Sequence, residues 1–121
     1  MEDKFIYRST VSVRIDGVRK FITTYPFLRE TPKSIIYRLD GKQKLLSKSL
    51  LGEINYGIIK STLLDYSVAH IWNLDKDRIH TDLERLVQHQ IEKFEDYQET
   101  VEKMITNLNS TDVVVDWREK S

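Results

Sequence analysis

The sequence predicts an α+β fold: an N-terminal antiparallel β-sheet made of hairpins, then two helices, the last one long, and a short C-terminal strand. Three observations predict it. Two Asp-Gly steps, Asp16-Gly17 and Asp40-Gly41, punctuate β-rich runs, and Asp-Gly is favoured in two-residue hairpin turns because both positions take positive φ. A near-heptad apolar row runs from Ile79 to Leu108, the spacing of an amphipathic helix. The charge divides along the same line. Residues 1–60 hold 12 Lys/Arg against 6 Asp/Glu, and residues 61–121 hold 7 against 13. A net charge of zero therefore conceals a basic β-rich part (about 1–57) and an acidic helical part (about 58–121) of one domain.

The first hairpin spans Phe5 to Tyr25. A turn at Asp16-Gly17 sets Ile15 opposite Val18, Arg14 opposite Arg19, Ser12 opposite Phe21 and Arg8 opposite Tyr25. Strand alternation then sorts the side chains. Phe5, Tyr7, Val11, Val13, Ile15, Val18 and Ile22 form a core face, with Lys20 the exception. Arg8, Thr10, Ser12, Arg14, Arg19, Phe21, Thr23 and Tyr25 form a basic face with aromatics among the cations.

Pro26 and Pro32 bracket a connection over 26–33. Ser34 to Leu39 is strand-like, and Asp40-Gly41 follows it. Lys42 to Leu51 reads equally as a strand or as a helix, the latter with Leu46 and Leu50 at i,i+4 and Gly52 as its stop. Ile58 to Trp72 also carries two periods. Its length favours a helix, although Leu64, Tyr66 and Val68 alternate as in a strand.

Asp77 to Leu108 is the long helix. Ile79, Leu83, Leu86, Gln90, Phe94, Tyr97, Val101, Met104 and Leu108 repeat every three or four residues, with one irregular step at Gln90. Thr81 and Glu84 fit a capping box for a late start. Unbroken, the helix would extend about 48 Å, beyond the roughly 35 Å expected of a compact globule. It must bend near His89-Gln90 or meet a partner, and a homo-oligomer through this helix is expected. Val113 to Trp117 closes the chain as a strand.

With 121 residues the chain can bury a core unaided. It contains no cysteine, which excludes thiol chemistry and zinc fingers and fits a reducing cytoplasm. The charged start MEDKFIYRST lacks the apolar stretch of an export signal. No window approaches the 18–20 apolar residues of a spanning helix, so no membrane association is expected.

No catalytic frame is present. The glycines at 17, 41, 52 and 57 form neither a P-loop nor a dinucleotide fingerprint, and no nucleophile elbow occurs. His80 and His89 fall on opposite faces of one helix, and His70 beside Ile71-Trp72 reads as packed. The acids Glu92, Glu95, Asp96, Glu99 and Glu102 lack the Glu-x-x-His pairs of a bundle metal site and read as a solvated face. We therefore expect no enzyme, no metal and no cofactor.

The basic face carries the functional expectation. Two guanidiniums set opposite one another repel, and an anion between them relieves the repulsion through charge-assisted hydrogen bonds. Arg14 and Arg19 would hold such an anion, Arg8 would assist, and Phe21 and Tyr25 would stack a base. Arg118 beside Trp117 would bring a further cation to the sheet edge. The expected ligand is a phosphate-bearing one, a nucleotide or single-stranded nucleic acid. Duplex DNA is disfavoured by the acidic half and by the lack of a basic recognition helix. The alternative is a protein-interaction module, an adaptor or small inhibitor, that sets the same face against an acidic partner.

Overall fold

The computed structural model describes residues 4–14, 16–57 and 66–110. They form β1 (Phe5–Arg14), β2 (Gly17–Glu30), β3 (Ser34–Leu39), β4 (Lys42–Ser47), β5 (Ile54–Tyr56), β6 (Tyr66–Asn73) and α1 (Ile79–Leu108). Single 3₁₀ turns occur at Lys48–Leu50 and Lys76–Arg78. The strands make one curled antiparallel sheet in the order β4-β3-β2-β1-β6-β5. The fold is an α+β mix, but α1 is the one α-helix among the described residues. The chain divides into two compact units, Met1–His89 and Gln90–Ser121.

The second Asp-Gly turn forms as its residues dictate. Leu39 pairs with Lys42, and Asp40 and Gly41 have φ of 51° and 76°, the two positive values of a tight hairpin turn. This closes the β3–β4 hairpin and makes 42–47 a strand, with a 3₁₀ turn after it. The first hairpin turns one residue earlier than predicted. Arg14 pairs with Gly17, Val13 with Val18, Ser12 with Arg19, Thr10 with Phe21 and Arg8 with Thr23. Arg14 and Arg19 are therefore diagonal neighbours, not a facing pair. Gly17 opens β2 at φ 154°, a conformation closed to L side chains, which explains why the glycine lies just after the bend. The predicted Ile15–Val18 pair involves a residue outside the described set.

Pro26 does not end the strand. It pairs opposite Phe5 at the last rung between β1 and β2. Beyond it β2 continues through an irregularity at Phe27/Arg29 to pair with β3. A residue without an N–H donor is tolerated where one ladder gives way to the next.

The predicted helix over 58–72 is corrected from Tyr66 onward, where the chain is β6; its first eight residues lie outside the described set. β6 pairs with β1 on one side and β5 on the other, and it contributes Trp72 to one sheet face and Ala69 and Ile71 to the other. A strand buried on both faces loses its alternation and mimics a helix period. The predicted closing strand at 113–117 also lies outside the described residues.

The sheet carries a core on each face within the first unit. On one, Ile6, Tyr25, Ile35, Tyr37, Leu46 and Trp72 pack together with Phe27, Leu39 and Leu51. On the other, Leu83, Leu86 and Val87 of α1 pack on Val11, Val13, Ile54, Ala69 and Ile71. The predicted core face thus holds at Val11 and Val13, whereas Phe5 and Val18 are exposed. The start of α1 is preceded by Asp75, whose carboxylate accepts from the Asp77 N–H at 2.9 Å; the Thr81 cap is not used. Asn73 donates to the buried Asp82 at 3.0 Å, and Arg85 donates to the Gly52 carbonyl at 2.9 Å. Tyr56 and His89 share a short hydrogen bond.

Candidate functional site

The basic face is the sheet face opposite α1. Its rungs follow from the register: Thr23–Arg8–Trp72, then Phe21–Thr10–His70, then Arg19–Ser12–Val68, then Gly17–Arg14–Tyr66. β1 occupies the middle of each rung, so its side chains are flanked by neighbours on both sides.

Arg8 lies at the inner end. Its guanidinium carbon is 5.5 Å from the Tyr25 ring centroid and 5.4 Å from that of Trp72. Tyr25, Tyr37 and Trp72 form a triangle with centroid separations of 5.2, 5.4 and 5.5 Å, and all three are buried. Each cation–π contact contributes about 0.5–2 kcal/mol, more when desolvated. The rings give Arg8 a fixed floor. They do not neutralise it.

No carboxylate pairs with Arg8 among the described residues. Its Nε and the neighbouring Thr10 Oγ1 are shielded from solvent and lack a hydrogen-bond partner. Thr10 is only 3 % exposed. A buried donor left unmade costs roughly 1–3 kcal/mol, so this corner of the face is under-satisfied. His70 meets Trp72 edge-on at 6.4 Å. Burial, and secondarily the charge of Arg8, hold its imidazole below the ordinary value of 6.5. Burial likewise pushes the Tyr37 phenol up, with the Tyr25 hydroxyl adding and Arg8 opposing.

The other predicted residues distribute along the same face. Arg14, Asp16, Gly17 and Arg19 line a shallow depression of about 370 Å³ at the hairpin tip, with Ser12 and Val18. Phe21 is 43 % exposed and offers a free ring face. Tyr25 does not, because its ring is packed beneath Arg8 and against Tyr37 and Trp72. Arg118 lies outside the described residues. From Arg8 to Arg14 the strand advances about 20 Å, so the cations form a stripe and not a single pocket.

Sequence reasoning missed Trp72, His70 and Tyr37 as parts of the site, and placed Thr10 on the basic face without a role. The first two were hidden by the helical reading of 58–72. Tyr37 reaches the site through β3, and no local pattern announces that pairing. Among the described residues no cluster of three His, Asp or Glu is placed to hold a metal ion.

Comparison with protein-family models, with curated proteins and with solved structures gives no significant match.

Proposed function

We propose that this protein is a non-enzymatic, homo-oligomeric binding protein that captures a phosphate-bearing ligand on the β1–β2–β6 face, most suitably single-stranded nucleic acid. The observation that carries this reading is Arg8: a guanidinium fixed on aromatic rings, without a carboxylate partner, beside the unsatisfied hydroxyl of Thr10. An anionic oxygen at the outer edge of the guanidinium would accept charge-assisted hydrogen bonds from its terminal nitrogens, while Nε and the Thr10 hydroxyl stay shielded beneath. Arg19 and Arg14 continue the positive track toward the hairpin tip, and Phe21 stands between them and Arg8 as a stacking surface. A stripe about 20 Å long suits a chain of phosphates better than one nucleotide.

A second reading, an interaction module for an acidic protein segment, is favoured by the hairpin tip. There Val18 is exposed beside Arg19 and Lys20, a basic and apolar mixture suited to a protein partner.

Fluorescence anisotropy with a labelled 12-mer of deoxythymidine distinguishes them. Binding that weakens at least about tenfold in Arg8→Gln, with a log–log salt slope near −2 for three phosphate contacts, supports the first reading. Oligonucleotide binding that is absent, while polyglutamate binds and loses affinity in Arg19→Gln, supports the second.

A further inference from the structure

The second unit poses a separate question. Along α1, Tyr97, Met104 and Leu108 are 50, 59 and 78 % exposed, and Ile91 and Ile105 are also exposed. From Phe94 onward the apolar row is a strict heptad: Phe94, Tyr97, Val101, Met104 and Leu108 are separated by 3, 4, 3 and 4 residues. With Phe94 at position a, every acid of this stretch falls at b, c or f: Glu92, Glu95, Asp96, Glu99 and Glu102. Two of these acids engage their own helix: Glu99 pairs with Lys103 at 3.3 Å, and Glu102 accepts a hydrogen bond from Gln98 at 3.3 Å. Positions e and g, which flank a coiled-coil seam, are Ile91, Lys93, Gln98, Thr100, Ile105 and Asn107. None is acidic, so two copies of this seam meet without opposing carboxylates.

We propose that residues 91–108 of α1 pair with the same segment of a second copy as an antiparallel two-stranded coiled coil. This rests on the homo-oligomeric part of the function proposed above and gives it a surface and an orientation. The flanks select the orientation. Antiparallel pairing centred near Glu99 sets Ile91 against Ile105 of the second copy, Gln98 against Gln98, and Thr100 against Thr100. The core layers become Phe94 with Met104 and Tyr97 with Val101, each matching a large ring to a narrower side chain. Parallel pairing would stack Phe94 on Phe94 and Tyr97 on Tyr97, setting ring against ring in successive layers. Opposed helix dipoles also favour the antiparallel form.

The seam is two heptads long, about 22 Å, so the dimer should be concentration-dependent. Sedimentation from about 1 to 500 µM should show a monomer–dimer equilibrium. The double variant Tyr97→Glu with Met104→Glu should raise its dissociation constant at least about tenfold, because it buries charge in the seam. Orientation is read from thiols, since the native chain has no cysteine. Phe94→Cys and Met104→Cys chains, mixed and oxidised, should give the mixed disulfide. Monomer throughout, or homodimeric disulfides of each variant in place of the mixed one, overturns the proposal. The 12-mer titration on the same samples keeps the two readings apart. Oligonucleotide binding by a monomer defeats only the pairing, and a mixed-disulfide dimer that binds no oligonucleotide defeats only the ligand.

Discussion

Arg8 and Trp72 stand side by side on adjoining strands, with the guanidinium carbon 5.4 Å from the indole centroid. The pairing fixes the cation without satisfying it. A half-buried charge with an unmade hydrogen bond contributes little to folding, because desolvation offsets its attraction to the rings. Arg8→Met should therefore change unfolding free energy by less than about 1 kcal/mol while weakening oligonucleotide binding at least about tenfold. Urea denaturation and anisotropy on the same preparation check this. A loss of several kcal/mol would show that Arg8 serves the fold.

His70 gives the protein a pH dependence. Its folded imidazole titrates below 6.5, so the unfolded chain binds the proton first as pH falls. Stability is complete above about 6.5 and is lost as pH falls through the depressed folded value. Thermal unfolding between pH 7.5 and 5 should show this loss, and His70→Gln should flatten the profile. An unchanged slope in the variant would assign the acid sensitivity to other groups.

Leu86 and Leu108 test the division of α1. Leu86 is fully buried, and Leu86→Ala should cost about 2–5 kcal/mol. Leu108→Ala should change the stability of the dilute monomer by less than about 0.5 kcal/mol. Chemical denaturation at low protein concentration separates the two. Similar losses at both positions would contradict the exposure of Leu108.

Gly41 holds a φ of 76° with open space around its missing side chain. Gly41→Ala meets no clash and should lose only about 1 kcal/mol, the cost of a left-handed alanine. Gly41→Asn should recover part of it. A larger loss would mean that the turn also needs close backbone approach.

Much of this architecture was legible in the chain. Asp40-Gly41 announced its hairpin, and the apolar row from Ile79 announced α1. The basic face kept its membership even though the first turn was misplaced by one residue. Moving a two-residue loop by one position shifts every cross-strand pairing by two, and side-chain facing has a period of two. Arg8, Thr10, Ser12, Arg14, Arg19 and Phe21 therefore stayed together while their partners changed. β6 was not legible, because Ala69, Ile71 and Trp72 serve both faces of the sheet and erase the alternation that marks a strand. The aromatic floor was hidden for a related reason. Tyr25, Tyr37 and Trp72 come from three strands, and only the pairing of β1 with both β2 and β6, and of β2 with β3, brings them together.

The two-faced sheet has a consequence for how the chain can vary. In β1, Ile6 belongs to one core and Val11 to the other. Inserting one residue between them would move one half of the strand onto the wrong side relative to the other. Its bonds to β2 and β6 would then lock the error in on both flanks. Substitutions in β1 trade one side chain at a time, whereas a change of length disrupts both interiors together. The residue count of this strand is therefore a stricter requirement of the fold than the identity of any one residue within it.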